Sequence, residues 1–206
     1  MLKKILLSLV SIIVVCVIGF AVVVAMQPAE FGVSRSATMK APRSEVFAQI
    51  NDLRRWEAWS PWAKLDPNAE VFYEGPSAGT GAVFGWSGND EIGAGKMTIT
   101  ESKPDELIRM RLEFTRPMED SADTEFTFAA EGDGSVVTWT MSGENNFVAK
   151  AICMFMDMDA MVGAQFEEGL KNIKTIVEGE DDDEDKEENG EDGGGEEGAA
   201  EDDGEG

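Results

Sequence analysis

The amino-acid sequence predicts an α+β domain in which a seven-stranded, curved antiparallel sheet wraps around one long C-terminal helix, preceded by one transmembrane helix. Three observations carry this prediction. Apolar residues recur every three or four positions from Asp157 to Glu178, which is the period of one helix face. From Glu70 to Glu144, short runs of β-forming residues alternate with polar turns, as in a meander of strands. The stretch from Ile5 to Ala25 carries no charge at all.

Residues 1–26 form the predicted membrane anchor. As a helix, Ile5 to Ala25 would cross about 30 Å, the thickness of the hydrocarbon core of a bilayer. Lys3 and Lys4 precede it, and the positive-inside rule places such lysines in the cytoplasm. We therefore expect a single-pass membrane protein with a cytoplasmic N-terminus and its domain on the extracytoplasmic, periplasmic side. A cleaved signal peptide ending at Val23-Val24-Ala25 is the alternative, although a signal core is typically only ~7–15 residues long.

The globular domain is predicted to occupy residues 27–178 and to begin with a strand from Phe31 to Met39. Ala41-Pro42 ends this strand, because proline has no N–H for further pairing and suits a first helical turn. A short helix is expected next. Arg54 to Trp62 then places three tryptophans three residues apart around Pro61, which indicates a helical turn that breaks into a loop.

Six further strands complete the predicted sheet. The clearest runs from Leu107 to Phe114, where apolar and charged residues alternate as expected of a sheet with one wet face. Gly132-Asp133-Gly134 is a hairpin signal between the last two strands. The predicted strands are 71–74, 83–87, 96–101, 107–114, 124–130 and 136–142.

The C-terminal residues 179–206 are predicted to be a disordered acidic tail of Gly, Glu and Asp. From Glu178 onward there are seventeen acidic residues and one lysine, so this segment carries −16 of the net charge of −24. Almost nothing in it is apolar, so burial cannot offset the entropy of ordering it. The simple interpretation is a solvated tail. The more specific alternative is a tail that binds divalent cations weakly.

The sequence contains no histidine, which excludes Ser-His-Asp and Cys-His catalysis and histidine-ligated metal sites. Its two cysteines, Cys16 and Cys153, lie in different predicted segments and are interpreted as apolar fillers. No stretch is basic enough to neutralise a phosphate backbone, so nucleic acid is not an expected partner. We expect no metal and no cofactor.

Three groups of residues resemble one known superfamily, and they span Phe31 to Glu178. They are Ala41-Pro42 with Val46-Phe47 and Ile50-Asn51-Asp52; Leu53 to Trp62 with Asp66-Pro67; and Gly163, Phe166, Glu167, Gly169, Leu170 and Ile173. Together with the order of elements, they resemble the SRPBCC superfamily of START-like or Bet v 1-like helix-grip proteins. The second and third groups look like its polyketide cyclase/dehydrase branch.

This resemblance implies an apolar cavity between the sheet and the final helix. Helix-grip proteins carry lipids, bind hormones, cyclise polyketides or regulate chaperones, and no catalytic residue set is common to them. We expect this chain to bind a hydrophobic small molecule or lipid at the membrane, without transforming it. The alternatives are an enzyme of the polyketide cyclase/dehydrase type and a ligand-free protein-interaction module.

Fourteen residues are candidates for lining that cavity because the predicted elements direct them inward. The tryptophans near residue 59 either line the cavity mouth or seal the end of the sheet as core. The methionines either suit ligands of varied shape or fill gaps. The candidates are Trp56, Trp59, Trp62, Trp86, Met110, Leu112, Phe126, Phe128, Trp139, Met141, Met158, Val162, Phe166 and Leu170.

Polar candidates are weaker. Carboxylates such as Asp159 and Glu167 are possible general acids or bases, and Arg109 or Arg111 is a possible partner for an acidic head group. Charges that alternate along a strand normally face solvent, so a simple surface role is the competing interpretation. Tyr73, the only tyrosine, is a possible proton donor.

Overall fold

The computed structural model describes residues 2–179 and has the predicted order of elements, with one additional helix between the last strand and the final helix. The predicted acidic tail from Glu180 onward lies outside the described residues. The helices are α1 (Leu2–Ala25), α2 (Arg43–Asn51), α3 (Trp56–Trp59), α4 (Pro61–Leu65), α5 (Phe147–Cys153) and α6 (Met158–Glu178). The strands are β1 (Glu30–Met39), β2 (Glu70–Glu74), β3 (Val83–Ser87), β4 (Ala94–Lys103), β5 (Leu107–Arg116), β6 (Asp120–Glu131) and β7 (Gly134–Glu144).

All seven strands form one antiparallel sheet in the order β1-β7-β6-β5-β4-β3-β2. Consecutive strands from β2 to β7 are neighbours, as in a meander joined by short turns, and β1 closes the row by pairing with β7. The predicted fold class is therefore confirmed. The longer strands extend several residues beyond their predicted ends, since backbone pairing continues after the apolar pattern stops.

Helix α6 buries its apolar stripe on one face of this sheet. Phe166, Leu170 and Ile173 are buried on the helix, and Ile108 and Met110 are buried on β5. The polar residues between the latter two stay at the surface, which is the alternation that the sequence predicts. Burial of side chains of this size stabilises a fold by roughly 1.5–3 kcal/mol each, so this layer dominates the stability of the domain.

The ends of α6 are fixed by local interactions. The Asp157 carboxylate accepts a hydrogen bond from the backbone N–H of Ala160 at 3.0 Å and caps the N-terminus. Gly179 ends the helix at φ 69°, a left-handed conformation that glycine adopts without strain. These caps explain why the predicted boundaries of this helix agree with the observed ones within one residue.

Helix α1 is long and apolar enough to cross a membrane, with a mean hydropathy of 3.1 over its most apolar window. A signal sequence would satisfy the same criterion. Helix α5 was not predicted from the sequence. Its N-terminus is capped by the Asn146 side chain, which accepts from the N–H of Ala149 at 2.9 Å.

Candidate hydrophobic ligand-binding site

The deepest part of the space between sheet and helix is filled by aromatic rings. Phe166 of α6 lies flat against Trp139 of β7, with ring centroids 4.0 Å apart. Trp56 and Trp59 contact Trp139 edge-on at 6.2 and 5.8 Å, and Phe126 lies 4.7 Å from it. All five side chains are buried. This cluster is packed like a protein interior, so a ligand could enter it only by displacing side chains.

The indole N–H groups of this cluster are satisfied internally. Trp56 donates to the carbonyl of Ile50 at 2.9 Å, and Trp139 donates to the Thr124 hydroxyl at 2.9 Å. Buried donors that already have partners do not need a ligand to satisfy them. For these tryptophans the geometry favours the core interpretation over the cavity-mouth interpretation.

The fourteen predicted lining residues fall into three groups in the structure. Eight are buried in the core: Trp56, Trp59, Met110, Phe126, Phe128, Trp139, Phe166 and Leu170. Five are half-buried and packed on its margin: Trp62, Trp86, Leu112, Met141 and Val162. Met158 is exposed at the start of α6. Their role in lining a cavity stays a prediction, and the half-buried group is where a ligand would meet open apolar surface.

A second set of rings lies on strands β2 to β5. Strand pairing places Tyr73 opposite Phe84, and Trp86 opposite Gly95, which pairs in turn with Phe114. Successive ring centroids lie 5.4, 6.0 and 5.8 Å apart from Tyr73 to Phe84, Trp86 and Phe114. All four side chains are half-buried. We call these four residues the aromatic row.

The aromatic row ends in an open cleft of about 1050 Å³. Trp86 and Phe114 belong to its wall. Phe72 adds a ring from the other face of the sheet, because it lies over Gly85, between Phe84 and Trp86 on β3. Its charged lining carries both signs, contributed by Lys96, Glu113, Arg116, Glu119 and Asp120. Such a cleft offers apolar contact area together with polar groups that can orient a ligand.

Arg116 differs from the other strand arginines in its partners. Its Nη2 atom donates to the Ser87 hydroxyl at 3.2 Å and to the Gly88 carbonyl at 2.9 Å, both neutral acceptors. Lys96, on the same cleft, forms a salt bridge with Glu113 at 3.1 Å. Among the described residues, Arg116 therefore forms no ion pair with a carboxylate, unlike Lys96.

The two arginines considered from the sequence have carboxylate partners instead. Arg109 forms salt bridges with Glu101 and Glu125, and Arg111 bonds Asp123 at 2.9 Å. These hydrogen bonds raise the pKa of Arg109, in first place through Glu125. Both arginines form their ion pairs on the outer face of the sheet. A role for either of them in binding the head group of a ligand is therefore not supported.

Three further groups have shifted pKa values, and none of these values is shifted towards neutrality. The Arg35 guanidinium, by hydrogen bonding, holds the pKa of the Asp159 carboxyl below its usual value. Lys103 does the same for the pKa of Glu101. Burial raises the pKa of the Tyr73 phenol, so this group stays protonated and can donate a hydrogen bond. Arg54 lies 5.3 Å from the centre of its ring.

Sequence reasoning missed the part played by Phe84, Phe114 and Arg116. The alternation along β5 does place Phe114 with the inward residues, but the row becomes visible only from the pairing of β2, β3, β4 and β5. Two glycines leave room for rings on neighbouring strands. A Cβ at Gly95 would lie 2.9 Å from the Trp86 ring, and the Phe72 ring lies over Gly85. Glycine opposite an aromatic residue is the signal that was available in the sequence.

Comparison with known proteins agrees with this architecture. The family described as polyketide cyclase/dehydrase and lipid transport matches residues 30–178, which is most of the chain. A search of the curated proteins finds no match.

Several solved structures share the fold at low sequence identity. A Rhizobium leguminosarum protein has a TM-score of 0.54 at 18% identity, covering 73% of this chain and 96% of its own. A Chromobacterium violaceum protein has a TM-score of 0.53 at 15% identity, covering 71% and 96%. The Aha1 dimer from Colwellia psychrerythraea has a TM-score of 0.52 at 14% identity, covering 72% and 96%. With this fold and the match over residues 30–178, the chain belongs to the polyketide cyclase/dehydrase and lipid transport family of the SRPBCC superfamily.

Proposed function

We propose that the domain binds a lipid or another largely apolar small molecule with a polar head group and does not transform it. The observation that carries the proposal is the aromatic row, whose half-buried rings lead into an open cleft of about 1050 Å³. Pockets for small ligands are typically about 300–1,000 Å³. Eight of the thirteen residues that line this cleft are polar or charged, which suits a ligand with a polar head group beside its apolar part. The family description, which includes lipid transport, supports the same class of ligand.

The ligand's apolar part would lie along the aromatic row. Stacked and edge-on rings offer flat apolar area with little side-chain entropy to lose on binding. The polar head would lie at Arg116, whose planar guanidinium suits a carboxylate or phosphate oxygen pair. Tyr73 supplies a protonated phenol at the other end of the row, which provides a second place for a polar group.

Membrane anchorage by α1 belongs to the same proposal. Neighbouring strands of this sheet run in opposite directions. The first residues of β1, β4 and β6 therefore lie at the same end as the last residues of β3, β5 and β7. The chain reaches β1 only a few residues after α1 ends at Ala25, and the cleft is built from Trp86 and Arg116 at this same end of the sheet. A cleft on the membrane-proximal side of the domain would lie close to a reservoir of lipid.

The rival function is a cyclase-type enzyme. Such an enzyme needs an acid or base near the ligand with a pKa moved towards neutrality. The lowered pKa values of Glu101 and Asp159 have moved in the opposite direction, and both carboxylates are held in surface ion pairs. Neither Glu101 nor Asp159 is therefore a candidate for this acid or base.

Photolabelling of the full chain in native membranes tests this proposal. A fatty acid with a diazirine in its alkyl chain would be irradiated, and the labelled peptides would be identified by mass spectrometry. We expect label on the peptides that contain Trp86 and Phe114, with competition by unlabelled fatty acid. Label confined to α1 would leave the domain without a ligand and would overturn the proposal.

A further inference from the structure

Six apolar side chains in and around α5 are exposed and do not belong to the hydrophobic core. The helix contributes no buried residue, although six of its seven residues are apolar. We call the six side chains the α5 patch, and each is between 40% and 78% exposed. They are Phe147, Val148, Ile152, Phe155, Met156 and Met161. Several exposed large apolar side chains within one short segment are a mark of an interaction site.

The α5 patch lies against the C-terminal part of α1. The ring of Phe155 is stacked on that of Phe20, with centroids 6.4 Å apart and planes at 28°. Phe20 is five residues before Ala25, the last residue of α1. At 1.5 Å per residue, this contact lies roughly 7.5 Å below the end of the helix.

This contact fixes the depth of the patch relative to a bilayer. If α1 spans the membrane and emerges at Ala25, Phe155 lies below the level at which the helix emerges. Amphipathic surfaces that lie in the membrane interface bury their apolar face about 5–10 Å into the boundary between head groups and acyl chains. The depth of the Phe20–Phe155 contact falls in that range.

The charge of the segment fits the same location. From Phe147 to Met156 the only charged side chain is Lys150, which is half-buried. A lysine beside an apolar surface keeps its ammonium group at the level of the phosphates while its alkyl stem remains in apolar surroundings. The nearest acidic residues are Glu144 before the segment and Asp157 and Asp159 after it. Asp157 caps α6, and Asp159 pairs with Arg35.

We propose that the α5 patch inserts into the bilayer leaflet at which α1 emerges, and that it fixes the orientation of the domain on the lipid surface. This inference rests on the proposed membrane anchorage by α1. It adds a second membrane contact, so the domain lies on the bilayer instead of moving freely at the end of a tether. The cleft is thereby held at a constant height above the lipid.

Spin labels on the full chain in phosphatidylcholine vesicles test the proposal. In a Cys16→Ala/Cys153→Ala background, Ile152→Cys reports on the patch and Ile176→Cys is the matched control. These isoleucines lie on different helices and are 40% and 39% exposed. Glu178, two residues after the control, bonds the backbone N–H of Lys40 at the end of the sheet away from α1. Native Cys16, labelled in a Cys153→Ala variant, reports on the anchor itself.

Collisions with oxygen report lipid, and collisions with a water-soluble nickel chelate report solvent. We expect the label at position 152 to collide mainly with oxygen and that at 176 mainly with nickel. Equal nickel access at 152 and 176, with Cys16 in lipid, would overturn the insertion but leave the anchor intact. A label at 152 shielded from both reagents would overturn it in favour of a second copy of the chain. Nickel access at Cys16 would overturn both the anchor and the insertion.

Discussion

The Phe166 ring of the C-terminal helix stacks on the Trp139 indole of β7, with centroids 4.0 Å apart and planes within 8° of parallel. Phe166 is 1% exposed and Trp139 is 3% exposed. This pair closes the deepest part of the space between sheet and helix. It belongs to the packed core, whereas the rings of the aromatic row, where we place the ligand, are half-buried.

Truncation of the Phe166 ring should destabilise the domain as much as the loss of any fully buried aromatic side chain. We expect Phe166→Ala to lower the free energy of unfolding by about 3–5 kcal/mol, because the cavity it leaves is enclosed by rigid rings. Denaturant unfolding followed by tryptophan fluorescence measures this loss. Phe155→Ala, at a 78% exposed position, is the control and should change it by less than about 0.5 kcal/mol. A loss of only about 1–2 kcal/mol at Phe166 would indicate a real cavity beside it.

The two buried glycines of α6 should respond differently to a methyl group. A Cβ at Gly169 would lie 2.9 Å from the Trp139 ring and 3.4 Å from Pro61, neither of which can move freely. A Cβ at Gly163 would meet only the end of the flexible Arg35 side chain. We expect Gly169→Ala to destabilise the domain by about 1–3 kcal/mol by overpacking. Gly163→Ala should cost less because the Arg35 side chain can shift, whereas the gain in helix propensity, up to about 1 kcal/mol, is the same at both positions. Equal unfolding midpoints for the two variants would contradict this packing.

The ion pairs over Gly163 predict a pH dependence. Arg35 bonds Asp159 at 2.9 Å and Glu167 at 2.7 Å, and its hydrogen bonds lower the pKa of Asp159. A lowered folded-state pKa contributes stability that is present above the unfolded value of about 3.9 and is lost as pH falls through the folded value. We therefore expect Asp159→Asn to lower the unfolding midpoint at pH 7, and this effect should shrink steadily as the pH falls below about 3.9. Glu168→Gln, on the exposed face of the same helix, is the control. A difference that stays the same from pH 7 down through the acid range would rule out this linkage.

Arg116 should contribute to recognition of the head group and not to the fold. Its acceptors are the Ser87 hydroxyl and the Gly88 carbonyl, both neutral. We expect Arg116→Ala to weaken binding of a fluorescent fatty acid about tenfold and to leave binding of the matching alcohol unchanged. Arg111→Ala, which breaks the pair with Asp123, should change neither affinity. If both variants lose carboxylate binding equally, the effect is one of overall charge.

The fold was predictable because its signals are local. The apolar period of α6 and the alternation along β5 follow directly from which faces are buried, and the residue patterns around Pro42 and Trp59 place the early helices. Helix α5 was missed because its apolar residues do not form one buried stripe. Packing within the domain does not explain these exposed apolar residues. The contact between Phe155 and Phe20 of α1 does explain them.

The candidate site was less predictable than the fold. From sequence alone, Phe166 and Trp86 are equivalent: both are large, apolar and on inward faces. Packing distinguishes them, since α6 covers Trp139 completely and leaves the row on β2 to β5 half open. Such differences depend on where a helix lies across a sheet, which is a property of long-range contacts and not of periodicity.

The most direct test of the proposed function is the affinity of the full chain, in lipid nanodiscs, for a fluorescent fatty acid when Trp86 is removed. We expect saturable binding above that of empty nanodiscs. Trp86→Ala should weaken it about tenfold, the equivalent of roughly 1.4 kcal/mol. Phe31→Ala, a half-buried ring on the opposite edge strand β1, should leave the affinity within about twofold of wild type. Equal affinities for wild type and Trp86→Ala, or no binding above empty nanodiscs, would contradict a ligand site on the aromatic row.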